Sequence, residues 1–340
     1  MEITSSKNAP ASYGKAKEIK VKKVLITGGA GFIGSHLADK LLSQKNSVVI
    51  VDDLSTGKLD NIAHLKHHAH FKFHLDSIMN EKLMSRLINE ADCIYHLAAA
   101  VGVKYIIDNP LKSITTNVRG TEIILEEASK SHKPVLIAST SEVYGKNNKV
   151  PFKEEDDSII GYTKLYRWSY ACTKKLDEFL AFAYFKEHKI PVVITRFFNT
   201  CGPRQTGEYG MVVPRFIKQA ILNQPITIFG DGKQKRCFSY VGDIVNGIIK
   251  LLKTPKCFGE VFNIGNDKEI SIEDLAHKIK ELTNSKSPIH YISYKDAYGD
   301  GFEDMQRRIP DLSKIKKYIS YTPKVGLEEM LKEIIKDFKA

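Results

Sequence analysis

The sequence predicts a doubly wound parallel α/β sheet, covered by helices on both faces, followed by a smaller mixed α/β lobe. Three observations carry this. The short β-branched runs are apolar throughout rather than alternating, which is the pattern of parallel strands buried on both sides. Longer segments of helical period separate them. A glycine-rich turn stands between the first such run and the first helical segment, at Gly28 to Gly34.

In order, Val24 to Thr27 reads as the first strand and Gly34 to Leu42 as the first helix. Val48 to Val51, Phe71 to Phe73, Cys93 to His96, Val135 to Ala138 and Val192 to Thr195 supply five more strands. Right-handed crossovers between parallel neighbours then wind the chain both ways from the first strand. Residues 21–199 are expected to form this cofactor-binding unit. After about Asn199 the strands shorten and Pro and Gly become frequent, so 200–340 is predicted as the smaller substrate lobe. Its helices fall at Ile272 to Leu282 and Leu327 to Phe338, and Val261-Phe262 is expected to return a strand to the sheet. Residues 1–20 are polar and without period, and read as a flexible leader.

The composition is that of an ordinary globular chain, with 42% apolar and 27% charged residues, which excludes disorder and coiled coil. No apolar run approaches the ~20 residues of a membrane helix, so no membrane partner is expected. Lys and Arg number 51 against 40 Asp and Glu, a formal charge of +11. Lys7, Lys15, Lys17, Lys20, Lys22 and Lys23 put part of that excess in residues 1–23. The excess permits an anionic partner, but no basic module interleaved with stacking aromatics is present, so no nucleic acid is expected. Five scattered cysteines without CxxC spacing fit reduced thiols and a cytoplasmic setting.

Gly28, Gly31 and Gly34 follow a GxxGxxG spacing, with Phe32 and Ile33 between the last two. Such a turn lets backbone N–H groups approach a pyrophosphate at a helix N-terminus. Asp52 ends the second strand 24 residues after Gly28. Its carboxylate can accept from ribose hydroxyls and repel a 2′-phosphate, which favours NAD over NADP. Asp53 or Asp76 is expected near the adenine, and the small residues Ala98 to Ala100 where the chain passes the cofactor.

Tyr170 and Lys174 form a YxxxK pair on one helix face. An ammonium beside the phenol would lower its pKa toward working pH. Ser139 to Glu142 follow the fifth strand, at the sheet edge where ligands bind, and Asn117 completes a plausible proton path.

Together Gly28 to Gly34, Asp52, His96 to Ala99, Thr140 to Gly145, Tyr170 with Lys174, and Arg196 to Asn199 resemble an extended short-chain dehydrogenase/reductase of the branch acting on nucleotide-diphosphate sugars. The resemblance runs from about Lys22 to the C-terminus. It implies a Rossmann domain and a tightly bound, recycled NAD. It also implies Tyr170 as base at the sugar 4-OH, supported by Lys174, with Thr140 on the same oxygen and Phe197 against the nicotinamide. By the same resemblance Asn199, Arg236 and Val213 meet the nucleotide sugar, and Arg308 meets the diphosphate or the sugar. Guanidinium forks suit phosphate and carboxylate oxygens.

The family divides into 4-epimerases, 4,6-dehydratases and decarboxylases, which share oxidation at C4. The segment Thr140 to Gly145 resembles UDP-glucuronic acid decarboxylases, and Arg167 to Cys172 their relatives. Decarboxylation of UDP-glucuronate is therefore the expected activity, giving UDP-xylose or the 4-ketopentose. Ser141 and Glu142 are expected near C5 and C6, with Arg167 or Arg308 on the carboxylate. The stretch around Val213 is also similar to epimerases, so 4-epimerisation stands as the alternative and 4,6-dehydration as a third reading.

Five histidines (His64, His67, His68, His70 and His74) cluster, but no Cys or HExxH spacing accompanies them and a solvated surface is expected, with no metal site. Cys172 is predicted to point away from Tyr170 into the core. His96 fits a structural role as well as a catalytic one. Helices over roughly 112–130 and 165–187 resemble those forming a four-helix homodimer interface, with Leu180 and Phe182 as candidates for it.

Overall fold

The computed structural model describes residues 23–207, 211–298 and 305–339; the predicted leader 1–20 lies outside them. Seven strands form one parallel sheet in the order Glu260–Ile264, Val192–Phe197, Val135–Thr140, Cys93–His96, Lys23–Thr27, Ser47–Asp52 and Phe71–Leu75. The order reverses beside Lys23–Thr27, whose neighbours are the second and fourth strands. Val261 and Phe262 lie in the edge strand, paired with Ile194 and Thr195.

Each face of the sheet carries its own apolar layer. On one side Leu37, Leu41, Val245 and Ile248 pack with Ile26 and Ile50, joining the Phe32–Ser43 and Val241–Lys253 helices to the strands. On the other, Leu87, Ile124 and Ala181 from three helices meet Leu25, Ile94 and Ile137. These helices are Glu81–Glu90, Pro110–Lys130 and Arg167–His188. Adjacent strand residues thus alternate between two buried layers, which is why no polar alternation marks the sequence.

A third core gathers Phe216, Ile228, Leu275 and Ile334 beyond residue 200. It joins the Val212–Ile221, Ile272–Thr283 and Leu327–Lys339 helices to the Ile226–Phe229 strand. The chain after 200 therefore serves both bodies, because the Val241–Lys253 helix and the Glu260–Ile264 strand return to the large sheet. A small three-stranded sheet places Lys235–Cys237 between Glu269–Ser271 and Arg307–Arg308. No helix among the described residues is long and apolar enough to cross a membrane.

Candidate active site

A cavity of about 520 Å³ opens at the C-terminal ends of the central strands, where the strand order reverses. Its floor is the glycine turn. Gly28 has φ +71, and a Cβ there would come within 2.7 Å of the Ala98 nitrogen. A Cβ on Gly34 would lie 2.3 Å from the Gly28 carbonyl oxygen. The glycines are thus required by two close backbone approaches. The Phe32–Ser43 helix starts after Gly31 with no side-chain cap, so its first-turn N–H groups are available to an anion.

Asp52 closes this turn. Its Oδ2 accepts the Ala30 N–H at 2.9 Å and its Oδ1 the Leu54 N–H at 2.9 Å. Burial raises its carboxyl pKa, against the pull of these backbone N–H groups. Asp53 accepts from the Ser55 N–H at 3.0 Å, and Asp76 from the Ser77 N–H at 2.7 Å and Asn80 Nδ2 at 2.9 Å. All three acids line the cavity, as do Gly31, Phe32, Ile33, Ala98 and Phe197. A glycine cradle, an uncapped helix start and a carboxylate at the end of the second strand fit a dinucleotide.

Asn117 is the exception among the predicted cofactor residues. It does not line the cavity; its Oδ1 accepts from the Ala100 N–H at 2.7 Å and its Nδ2 donates to the Ala100 carbonyl at 3.3 Å. It shapes the backbone that passes the cavity.

The other wall carries the acid–base groups. Thr140, Ser141, Glu142, Tyr170 and Lys174 all face the cavity. Thr140 ends the fifth strand and its Oγ1 accepts from the Glu142 N–H at 3.2 Å, capping the short turn Ser141–Tyr144. The Thr140 hydroxyl faces the Tyr170 phenol and pulls its pKa downward. The expected lowering of the Tyr170 pKa is not found: burial, then the Glu142 and Asp177 carboxylates, push it upward. Burial of the phenol is the main cause, and the Lys174 ammonium is paired with Asp177, its Nζ 3.0 Å from Oδ2.

Two further groups fix this wall. Arg196 is buried and grips Glu178 with Nε and Nη2, each at 2.8 Å. Glu178 also accepts from Ser139 Oγ at 2.6 Å. The helix of Tyr170 is thereby tied to the fifth and sixth strands. His96 is buried with Nδ1 2.8 Å from Thr27 Oγ1 and Nε2 3.1 Å from Thr121 Oγ1. Burial, then the Lys174 charge, lower its pKa to about 3, so the ring is neutral and structural.

The lobe supplies cations. Arg308 and Arg236 are direct register partners on adjacent strands, and both line the cavity. Arg308 Nη2 lies 2.7 Å from Glu142 Oε1. Arg236 Nη1 donates to the Lys235 carbonyl at 2.8 Å. Val213 lines the cavity, as does Asn199, whose Nδ2 donates to the Cys237 carbonyl at 3.0 Å. Arg167 opens its helix, and its side chain lies outside the described residues.

Sequence reasoning missed Phe229, Gln205, Gln234 and Tyr294 in the cavity wall, and Asp177 behind it. Only their position beside predicted residues could have signalled them. Cys172 is exposed, not in the core. Tyr170 faces the cavity, and the opposite side of this helix is the outer surface of the molecule. Leu180 and Phe182 pack against the internal layer instead of an outer face. Four of the five clustered histidines are exposed, and His64 pairs with Asp39 at 2.7 Å.

The family model of GDP-mannose 4,6-dehydratase matches residues 25–334. The UDP-N-acetyl-alpha-D-glucosaminuronate decarboxylase of Bacillus cytotoxicus is 42% identical, covering 94% of this chain and 98% of that protein. UDP-glucuronic acid decarboxylase 1 of Xenopus tropicalis is 38% identical over 94% of this chain and 72% of its own. Among solved structures, UDP-glucuronic acid 4-epimerase from Bacillus cereus, in complex with UDP-glucuronic acid and NAD, superposes with a TM-score of 0.84. It is 32% identical, covering 93% of this chain and 99% of that one. With a family model matched over residues 25–334 and a relative 42% identical over nearly its whole length, the chain belongs to the GDP-mannose 4,6-dehydratase family, within the extended short-chain dehydrogenase/reductases of nucleotide sugars.

Proposed function

We propose that the chain is an NAD-dependent decarboxylase of a UDP-uronic acid, with UDP-glucuronate as substrate. The observation that carries this reading is the Arg308–Glu142 ion pair at 2.7 Å, which joins the lobe to the wall that holds Tyr170. Cationic groups opposed directly across adjacent strands repel one another. Arg236 and Arg308 in register therefore favour an anion at this edge, suited to a diphosphate and a carboxylate.

Bound NAD supplies an acceptor for the C4 hydride and returns it later. The residues do the rest. The turn Gly28 to Gly34 and Asp52 would hold the dinucleotide, Asp52 serving the adenosine ribose and Asp53 or Asp76 the adenine. Phe197 would serve the nicotinamide. Tyr170 takes the proton of the sugar 4-OH, with Thr140 on the same oxygen and Lys174 beside them. A C4 ketone stands β to the carboxylate, and such acids lose CO2 readily. Arg308 orients that carboxylate, and Glu142, once released from Arg308, moves a proton at C5 with Ser141 beside it. Asn199 and Arg236 hold the diphosphate, and Val213 bounds the nucleotide. The product is UDP-xylose, or UDP-4-ketopentose if the hydride is retained.

The Bacillus cytotoxicus relative is named for a uronate with an acetamido group, and the Bacillus cereus structure is a 4-epimerase. Incubation with UDP-glucuronate and with UDP-N-acetylglucosaminuronate, followed by mass spectrometry, separates these readings. Loss of the mass of CO2 supports decarboxylation, and an unchanged mass with altered retention supports epimerisation. Loss of water supports dehydration.

The chain is further proposed to form a homodimer through the Pro110–Lys130 and Arg167–His188 helices. Leu111 and Phe179 are 77% and 64% exposed there, with Ile114 and Leu176 beside them. Four such apolar side chains on two packed helices fit a face covered by a second copy.

A further inference from the structure

Tyr170, Lys174 and Asp177 follow one another at helical spacing, so all three share one face of the Arg167–His188 helix. The first two line the cavity and Asp177 lies behind them. Lys174 is 1% exposed and Asp177 0%, with Lys174 Nζ 3.0 Å from Asp177 Oδ2. Stability alone does not account for this pair. Taking both charges out of water costs about what their attraction returns, and apolar residues of similar volume often replace a buried pair without loss.

The groups around the pair restrict it to one arrangement. The Thr121 side chain lies beside Asp177, whose Oδ1 makes no hydrogen bond among the described residues. Thr121 also meets His96, and His96 meets Thr27, the residue before the glycine turn. Because His96 stays neutral, Lys174 is the cation that Asp177 answers. Facing Tyr170 are the Thr140 hydroxyl and Glu142 from the turn after the fifth strand, and Asp177 from its own helix. Arg308, from the lobe, pairs with Glu142.

We propose that Asp177 is a positioning residue for the C4 chemistry: it anchors the Lys174 ammonium against the cavity wall and divides its charge between carboxylate and phenol. The proposal rests on the reading of Tyr170 as the base. Its consequence is a pH setting. With the carboxylate present, Lys174 helps the phenol less than an unpaired ammonium would, and the base works at higher pH. Without it, the full positive charge bears on Tyr170.

The test uses Asp177→Asn, which keeps the polar shape, and Asp177→Leu, which keeps an apolar volume. In the NAD-loaded enzyme, consumption of UDP-glucuronate is followed against pH, whatever product forms. The acid limb of kcat/KM is expected to move to lower pH by about one unit, a tenfold change in ionisation constant, and Asp177→Glu to restore it. Phenolate absorbance, with Tyr170→Phe subtracted, is expected to move in the same direction without any substrate. An acid limb and a phenolate midpoint both unchanged in a folded variant overturn the proposal. So does failure of both variants to fold, which would make the pair structural. If the absorbance moves while no UDP-uronate is consumed, the functional reading fails and the role of Asp177 stands.

Discussion

Arg308 and Arg236 stand in direct register on neighbouring parallel strands, and Glu142 reaches Arg308 from the opposite wall at 2.7 Å. A substrate carboxylate entering here replaces Glu142 at a guanidinium already in place. Removing one partner of a buried charge pair costs about 2–5 kcal/mol. Arg308→Ala is therefore expected to raise the KM for UDP-glucuronate by about 30-fold or more. Calorimetric binding of UDP, which lacks the carboxylate, should change far less. An equal loss for both ligands would assign Arg308 to the diphosphate.

Tyr170→Phe removes the proton acceptor while leaving the ring. A positioned general base contributes about 10²–10⁴-fold, so kcat should fall by that factor. The amount of NAD co-purifying with the protein should be unchanged, measured after acid extraction. Retained activity would place the base elsewhere.

Glu178 answers Arg196 inside the protein and holds the catalytic helix to the sheet. Glu178→Ala leaves a buried guanidinium with its main partner gone. Such losses cost about 3–5 kcal/mol, to be read as a lowered urea midpoint. A shift below about 1 kcal/mol would show that water reaches the site.

His96 predicts a pH dependence of stability. Its folded pKa, about 3, lies below the ordinary 6.5 because burial and Lys174 disfavour the charged ring. Below pH 6.5 the unfolded chain takes up a proton that the folded chain refuses. The contribution of His96 is thus fully present above 6.5 and is lost as pH falls toward 3. Each pH unit in that window removes about 1.4 kcal/mol. Urea unfolding of wild type and His96→Gln between these limits should show a shallower slope for the variant.

Phe179→Asp places a charge in the outer face of the Arg167–His188 helix. The double variant with Leu111→Asp is expected to run as a monomer in light-scattering chromatography while keeping its far-ultraviolet spectrum. A wild type that is itself monomeric would refute the proposed interface.

The strands were legible because a sheet buried on both faces leaves continuous apolar runs, as at Val24 to Thr27 and Val192 to Thr195. The glycine turn was legible because close backbone approach at Gly28 and Gly34 admits no other residue. Tertiary neighbours were not. Nothing in the sequence signals Asp177 until Lys174 is seen against it, nor the hold of the Asn117 amide on Ala100. Cys172 reads as a core thiol but is exposed, because helical period gives an angle around the axis and not which side meets solvent.

Four of the thiols are enclosed, and Cys172 alone meets solvent. Cys172 stands at helical spacing from Leu176 and Phe179, so the proposed dimer would shield its thiol and the Phe179→Asp variants would open it to maleimide. A dye attached there samples the outer flank of the helix whose inner flank does the chemistry, and its accessibility would register crowding of that flank without any engineered cysteine.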